Sequence, residues 1–146
     1  MPTLRLPQSA EPLLPFCLRS EDAAENACFE TYADLFAFAA ACGFARLHGR
    51  QPQEPEKFLA SPSPIDIAVF KNQGLFHNLL LIGLGSERKA DIARDEDRLC
   101  RLVEAFADVG CKYLAHELQS WTPARFHLEL GRILIAAAEE NVKVAI

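Results

Sequence analysis

Four basic side chains are the first candidates for chemistry in this sequence. Arg46, His48 and Arg50 follow one another at two-residue spacing, and Arg5 sits between two leucines near the start. Guanidinium groups present several N–H donors to phosphate or carboxylate oxygens, so a set of this kind suits an anion, DNA phosphate included. Cations near a helix C-terminus are also favourable for dipole reasons alone, a reading that needs no ligand. Metal binding or acid–base work would draw on His48, His77, His116 and His127, which are scattered along the chain. The nearest approach to a ligand set is Cys111, His116 and Glu117 with His127 and Glu129, and its spacing matches no established zinc pattern. No metal and no cofactor is expected.

Other motifs reduce to structure. Leu79 to Arg88 resembles a strand running into a Gly-x-Gly turn, Gly83 and Gly85 being the pair, but Arg88 stands where a dinucleotide-binding fingerprint has its third glycine. Ser86 lacks the Gly-x-Ser-x-Gly setting of an exposed serine nucleophile and suits a cap. The acidic runs, Asp95 to Asp97 and Glu139-Glu140, fall where charges solvate and cap helix ends. Cys17, Cys28, Cys42, Cys100 and Cys111 are odd in number with no Cys-x-x-Cys spacing, so they are expected as packed thiols rather than disulfides. Catalysis has no motif to stand on, and the chain is expected not to be an enzyme.

The elements that would position these groups are mostly helical. Leu4-Arg5-Leu6 alternates as a short strand or arm does. Ser9 is placed to cap a short helix running to about Arg19, interrupted by Pro12 and Pro15. Thr31, with Asp34 three residues on, opens a helix over 32–42 that is apolar on nearly every side, and Gly43 is the expected stop. Pro52, Pro55, Pro62 and Pro64 make 46–66 a long loop. Residues 65–70 fit either a short strand or a helical turn. Leu75 to Leu84 reads as a buried helix ended by Gly83 and Gly85. From Asp95 to Leu118 apolar residues recur every three or four positions, the mark of a long amphipathic helix that Gly110 weakens at its middle. Thr122-Pro123 starts a last helix, with Trp121 beside it as a candidate protein-interface residue.

The chain has 146 residues, half of them hydrophobic and 24% charged, which suits a single globular domain spanning 1–146. The expected fold class is all-α, with five to six helices around one core and a short N-terminal strand or arm. A formal charge of −5 provides no overall field for nucleic acid, so any DNA contact would need a local patch. The longest apolar run, Leu35 to Ala45, is far shorter than the roughly twenty residues that span a bilayer. With no secretory or twin-arginine signal at the start, a cytoplasmic location is expected and no membrane contact.

The Thr31-Tyr32-Ala33-Asp34-Leu35-Phe36-Ala37-Phe38-Ala39-Ala40-Ala41-Cys42-Gly43-Phe44 segment, the arginines at 46 and 50, the apolar stretches 65–70 and 75–84, and Val103-Glu104-Ala105-Phe106-Ala107-Asp108-Val109-Gly110 together carry a resemblance. The chain resembles the DNA phosphorothioation (Dnd) system-associated protein 4 family. The proline-rich stretch 51–64 and the cysteine content depart from that pattern. The resemblance implies an accessory or regulatory role beside bacterial DNA modification and restriction, and it brings no catalytic residues. The expected mode is docking on a larger protein of the system. The alternative is a dimeric DNA-binding regulator of ribbon-helix-helix type, in which Leu4-Arg5-Leu6 pairs across a homodimer and Arg5, Arg46, His48 and Arg50 meet DNA.

Overall fold

The computed structural model describes residues 2–17, 29–117, 132, 135 and 136. In chain order these form strand β1 (Thr3–Leu4), a 3-10 helix (Gln8–Phe16), helix α1 (Tyr32–Leu47), strand β2 (Ile65–Asp66), helix α2 (Ile67–Asn72), helix α3 (Phe76–Glu87), a second 3-10 helix (Ala90–Arg94) and helix α4 (Glu96–Glu117). The domain is helical as the periodicity predicts, with one small antiparallel sheet.

The arm is a strand, and it pairs within its own chain. Thr3 lies opposite Asp66 and Leu4 opposite Ile65, and Ile67 N–H donates to the Pro2 carbonyl at 3.2 Å. Further along, Leu59 N–H donates to the Leu6 carbonyl and Gln8 N–H to the Lys57 carbonyl, at 2.9 and 3.1 Å. The proline-rich loop is therefore fastened to the arm at its middle, 57–59, and again at its far end in β2, with 60–64 between. Residues 65–70 contain both alternatives at once: β2 ends at Asp66, whose carboxylate accepts from Ala68 N–H at 2.9 Å and so caps α2.

Pro12 and Pro15 lie inside the first helix and take two N–H donors out of any α-ladder, which accounts for its 3-10 form over Gln8–Phe16. Ser9 does not cap it; Pro7 occupies that place without a side-chain bond. Thr31 behaves as the sequence predicts. Asp34 N–H donates to its Oγ1, and Thr31 N–H donates to the Asp34 carboxylate, both at 3.2 Å.

Gly43 does not end α1, which continues to Leu47 and closes on His48 with φ of 52°. Gly43 faces α4 instead. A Cβ there would stand 1.9 Å from the Phe106 carbonyl oxygen, and one on Gly110 would stand 1.7 Å from that of Ala39. The two glycines thus let the backbones of α1 and α4 touch. Gly83 and Gly85 likewise lie inside α3, which ends at Arg88 in the left-handed region.

The core gathers around α4. Every residue from Leu102 to Asp108 is buried, under α1, α3, β1 and the first 3-10 helix. Phe36 and Phe106 are fully enclosed; Phe36 meets Phe70 edge-on and Phe106 meets Phe44 likewise, with ring centroids 5.6 Å apart in each pair.

Candidate functional site

Burial of 102–108 on all sides catches two carboxylates that an amphipathic reading leaves in water. Glu104 and Asp108 are 2% and 6% exposed, one helical turn apart on α4, facing the arm and the first 3-10 helix. Glu104 accepts three bonds from one residue: Arg5 backbone N–H at 2.8 Å, Nε at 2.9 Å and Nη2 at 3.0 Å. That carboxylate holds the guanidinium pKa above its ordinary value, against the opposing effect of desolvation. Phe58 of the proline-rich loop covers the same guanidinium at 3.7 Å. Arg5 therefore ties arm, loop and α4 together.

Asp108 is held differently. Ser9 Oγ donates to its Oδ1 at 2.6 Å, and Lys112 Nζ lies 3.0 Å from its Oδ2. Asp108 forms part of the wall of a cleft of about 600 Å³ between the start of the 3-10 helix, residues 51–57 and α4. A second cleft of about 490 Å³ runs past Arg5, Glu104, Asp95, Asp97 and Arg101.

The sequence-predicted residues fall in two places. Arg46, His48 and Arg50 are exposed together at the end of α1. Arg46 stacks its guanidinium 4.4 Å from the Tyr113 ring centroid, and Arg50 Nε donates to the Leu47 carbonyl at 2.9 Å, which closes the helix end. Arg5 engages α4 at Glu104, nine residues before Tyr113, about 13 Å along the helix axis. Trp121 and the pair His127 and Glu129 lie outside the described residues, and of the expected last helix only Arg132, Ile135 and Ala136 are described, all three helical. Among the described residues no group of three or more His, Cys, Asp or Glu side chains is placed to hold a metal.

Burial sets the thiols. Cys17, Cys42 and Cys100 are pushed up to about 12 by desolvation, and Cys111 higher still. Protonated thiols are poor nucleophiles and poor ligands. Ser86 does not cap a helix; it lies inside α3 and accepts from Gln51 Nε2 at 3.2 Å. Apolar side chains also reach the surface, Leu81 of α3 at 66% exposure and Val69 of α2 at 36%.

Glu104 and Asp108 had a signal in the sequence. Leu102-Val103-Glu104-Ala105-Phe106-Ala107-Asp108-Val109 contains no other polar residue. Two acids one turn apart in such a run face whatever packs there, and the arginine between Leu4 and Leu6 is a natural counter-ion.

These features define a helical domain whose arm is clamped by a half-buried ion pair. The chain belongs to the family described as DNA sulphur modification system-associated protein 4, whose model matches residues 4–142. Its members are thereby associated with a DNA sulphur modification system. No curated protein and no solved structure matches the chain. Among the described residues no helix is long and apolar enough to cross a membrane.

Proposed function

We propose that this chain is a non-enzymatic accessory or regulatory protein of its DNA sulphur modification system, located in the cytoplasm, and that it works by docking on a larger protein of that system. What carries the reading is the match over residues 4–142 to a family described by the machinery it accompanies. The outward side of α3 supports a place for the contact. Leu81 stands 66% exposed there, between His77 and Gly85, exposed one turn to either side. A partner that buries this leucine gains about 1.5–3 kcal/mol, enough to matter at an interface centre.

Co-expression with the proteins of the system, followed by size-exclusion chromatography and calorimetry, tests the reading. Leu81→Asp should weaken the complex at least about tenfold with an unchanged melting temperature, because the side chain already stands in water. Unaltered affinity refutes the α3 face, and the absence of any complex refutes docking.

A second reading, direct DNA contact, is favoured by the joint exposure of Arg46, His48 and Arg50. The ribbon form of that reading asks the arm to pair across a dimer, whereas β1 is paired with β2 of the same chain and Arg5 is held by Glu104. Any DNA contact would therefore rest on the three residues at the end of α1. Fluorescence anisotropy with duplexes, with and without one phosphorothioate, at about 50 and 200 mM salt separates the readings. Steeply salt-dependent binding that is lost in Arg46→Ala/Arg50→Ala supports DNA contact. No binding at the lower salt removes it.

A further inference from the structure

The cleft beside Asp108 has a property that the Arg5 clamp lacks: its buried charge is held by a counter-ion that can leave. Asp108 is 6% exposed, while the Lys112 ammonium that neutralises it is on a side chain 68% exposed and four residues further along the same helix. Pairs of that kind are worth little, since the lysine is almost as well off in water. Ser9 occupies Oδ1, and a carboxylate has about four acceptor positions, so Oδ2 can take a stronger donor without disturbing Ser9. The cleft, about 600 Å³, falls within the range of small-ligand sites. Leu47 and Val109 give it an aliphatic wall, and Glu54 and Glu56 add two carboxylates on the loop side; Lys57 opposes them there.

We infer that this cleft is a docking pocket for an arginine side chain on a basic segment of a protein partner, whose guanidinium displaces Lys112 from Asp108. Arginine fits each part of the site. Its methylene stem lies along Leu47 and Val109, its planar fork donates to Oδ2, and the carboxylates of Glu54 and Glu56 face its remaining N–H groups. The chain's formal charge of −5 favours a partner of this sign at longer range. The inference deepens the docking reading and rests on it for the existence of a partner.

The test is a direct titration, which needs no component of the modification system. The full chain is titrated with acetyl-Gly-Arg-Gly-amide, and with the same peptide carrying citrulline, by NMR chemical-shift mapping at low salt. The arginine peptide should bind with a Kd on the order of 1 mM and shift the resonances of Ser9, Asp108 and Lys112. The citrulline peptide should not bind. Lys112→Ala, at a surface position, removes the competing ammonium and should tighten binding about twofold, while Glu54→Gln/Glu56→Gln should weaken it. Equal binding of the citrulline peptide, no binding of the arginine peptide, or a Lys112→Ala variant that binds no better would each overturn the pocket. A failed titration leaves the α3 contact standing, and a failed co-expression leaves the titration result standing.

Discussion

Replacing Arg5 by methionine keeps an aliphatic side chain against Phe58 and removes the guanidinium. Two charge-assisted hydrogen bonds disappear, those from Nε and Nη2, and Glu104 keeps the Arg5 backbone N–H at 2.8 Å. Hydrogen bonds to charged groups contribute about 1.5–3 kcal/mol each, so the gross loss is roughly 3–6 kcal/mol. Arg5 is 43% exposed and Glu104 2%, so water reaches one side of the pair and the loss is discounted to about 2–3 kcal/mol. For a chain of this size that is a fall in Tm of about 6–10 °C. Urea denaturation of Arg5→Met, Glu104→Gln and the double variant should show a coupling of about 2 kcal/mol, the double variant losing less than the sum of the singles. An arginine held out for DNA would behave otherwise, with stability within about 0.5 kcal/mol of the parent. A loss below that limit, or additive effects in the cycle, would refute the clamp.

The α1–α4 contact predicts that Gly43→Ala and Gly110→Ala each cost about 3 kcal/mol or more, because the new methyl meets a carbonyl oxygen rather than a yielding side chain; calorimetry showing less than 1 kcal/mol would contradict the close approach. Thr31→Ala removes the cap of α1 and should cost about 1 kcal/mol, measured in the same way. The thiols of Cys17, Cys100 and Cys111, which are buried, and of Cys42, which is half-buried, should react with a disulfide reagent at pH 8 only after denaturation, measured on Cys28→Ser; rapid labelling in the native state would count against their desolvation. Their folded-state pKa values lie above those of the unfolded chain, so folding favours the protonated form. Their contribution is complete below about pH 8.5 and is lost as pH rises toward 12, which urea midpoints between pH 7 and 10.5 should follow downward.

What could be read from the sequence was whatever a short stretch decides alone. Thr31 and Asp34 satisfy each other within one turn, and the apolar rows of α1 and α4 declare their period. What could not be read depended on a partner far along the chain. A glycine that ends a helix and a glycine that admits a close neighbour, the α4 backbone at Gly43 or the Leu99 side chain at Gly83, look alike until that neighbour is in place, so both were expected as stops and lie inside helices. Ser9 was expected to cap its own helix, but Asp108, 99 residues away, takes its hydroxyl. The same distance separates Arg5 from Glu104, which is why the arginine reads as an anion site. Arg46, His48 and Arg50 stay together because five residues span them, whatever the fold does.

The fastening of the arm has a consequence for how the chain is made. Synthesis proceeds from the N-terminus, so Leu4, Leu6 and Leu13 leave the ribosome well before α4, against which β1 and the first 3-10 helix pack. β1 waits for β2, some sixty residues later, and Arg5 waits for Glu104. Helices α1 and α3 assemble locally meanwhile, since helix formation is fast compared with translation at about 5–20 residues per second. The nascent protein therefore carries an unpaired strand edge and bare leucines for several seconds, a window in which any binder of extended apolar chain can intercept it. Closing that window waits for α4, so the anchoring of Arg5 depends on a residue 99 positions further along the chain.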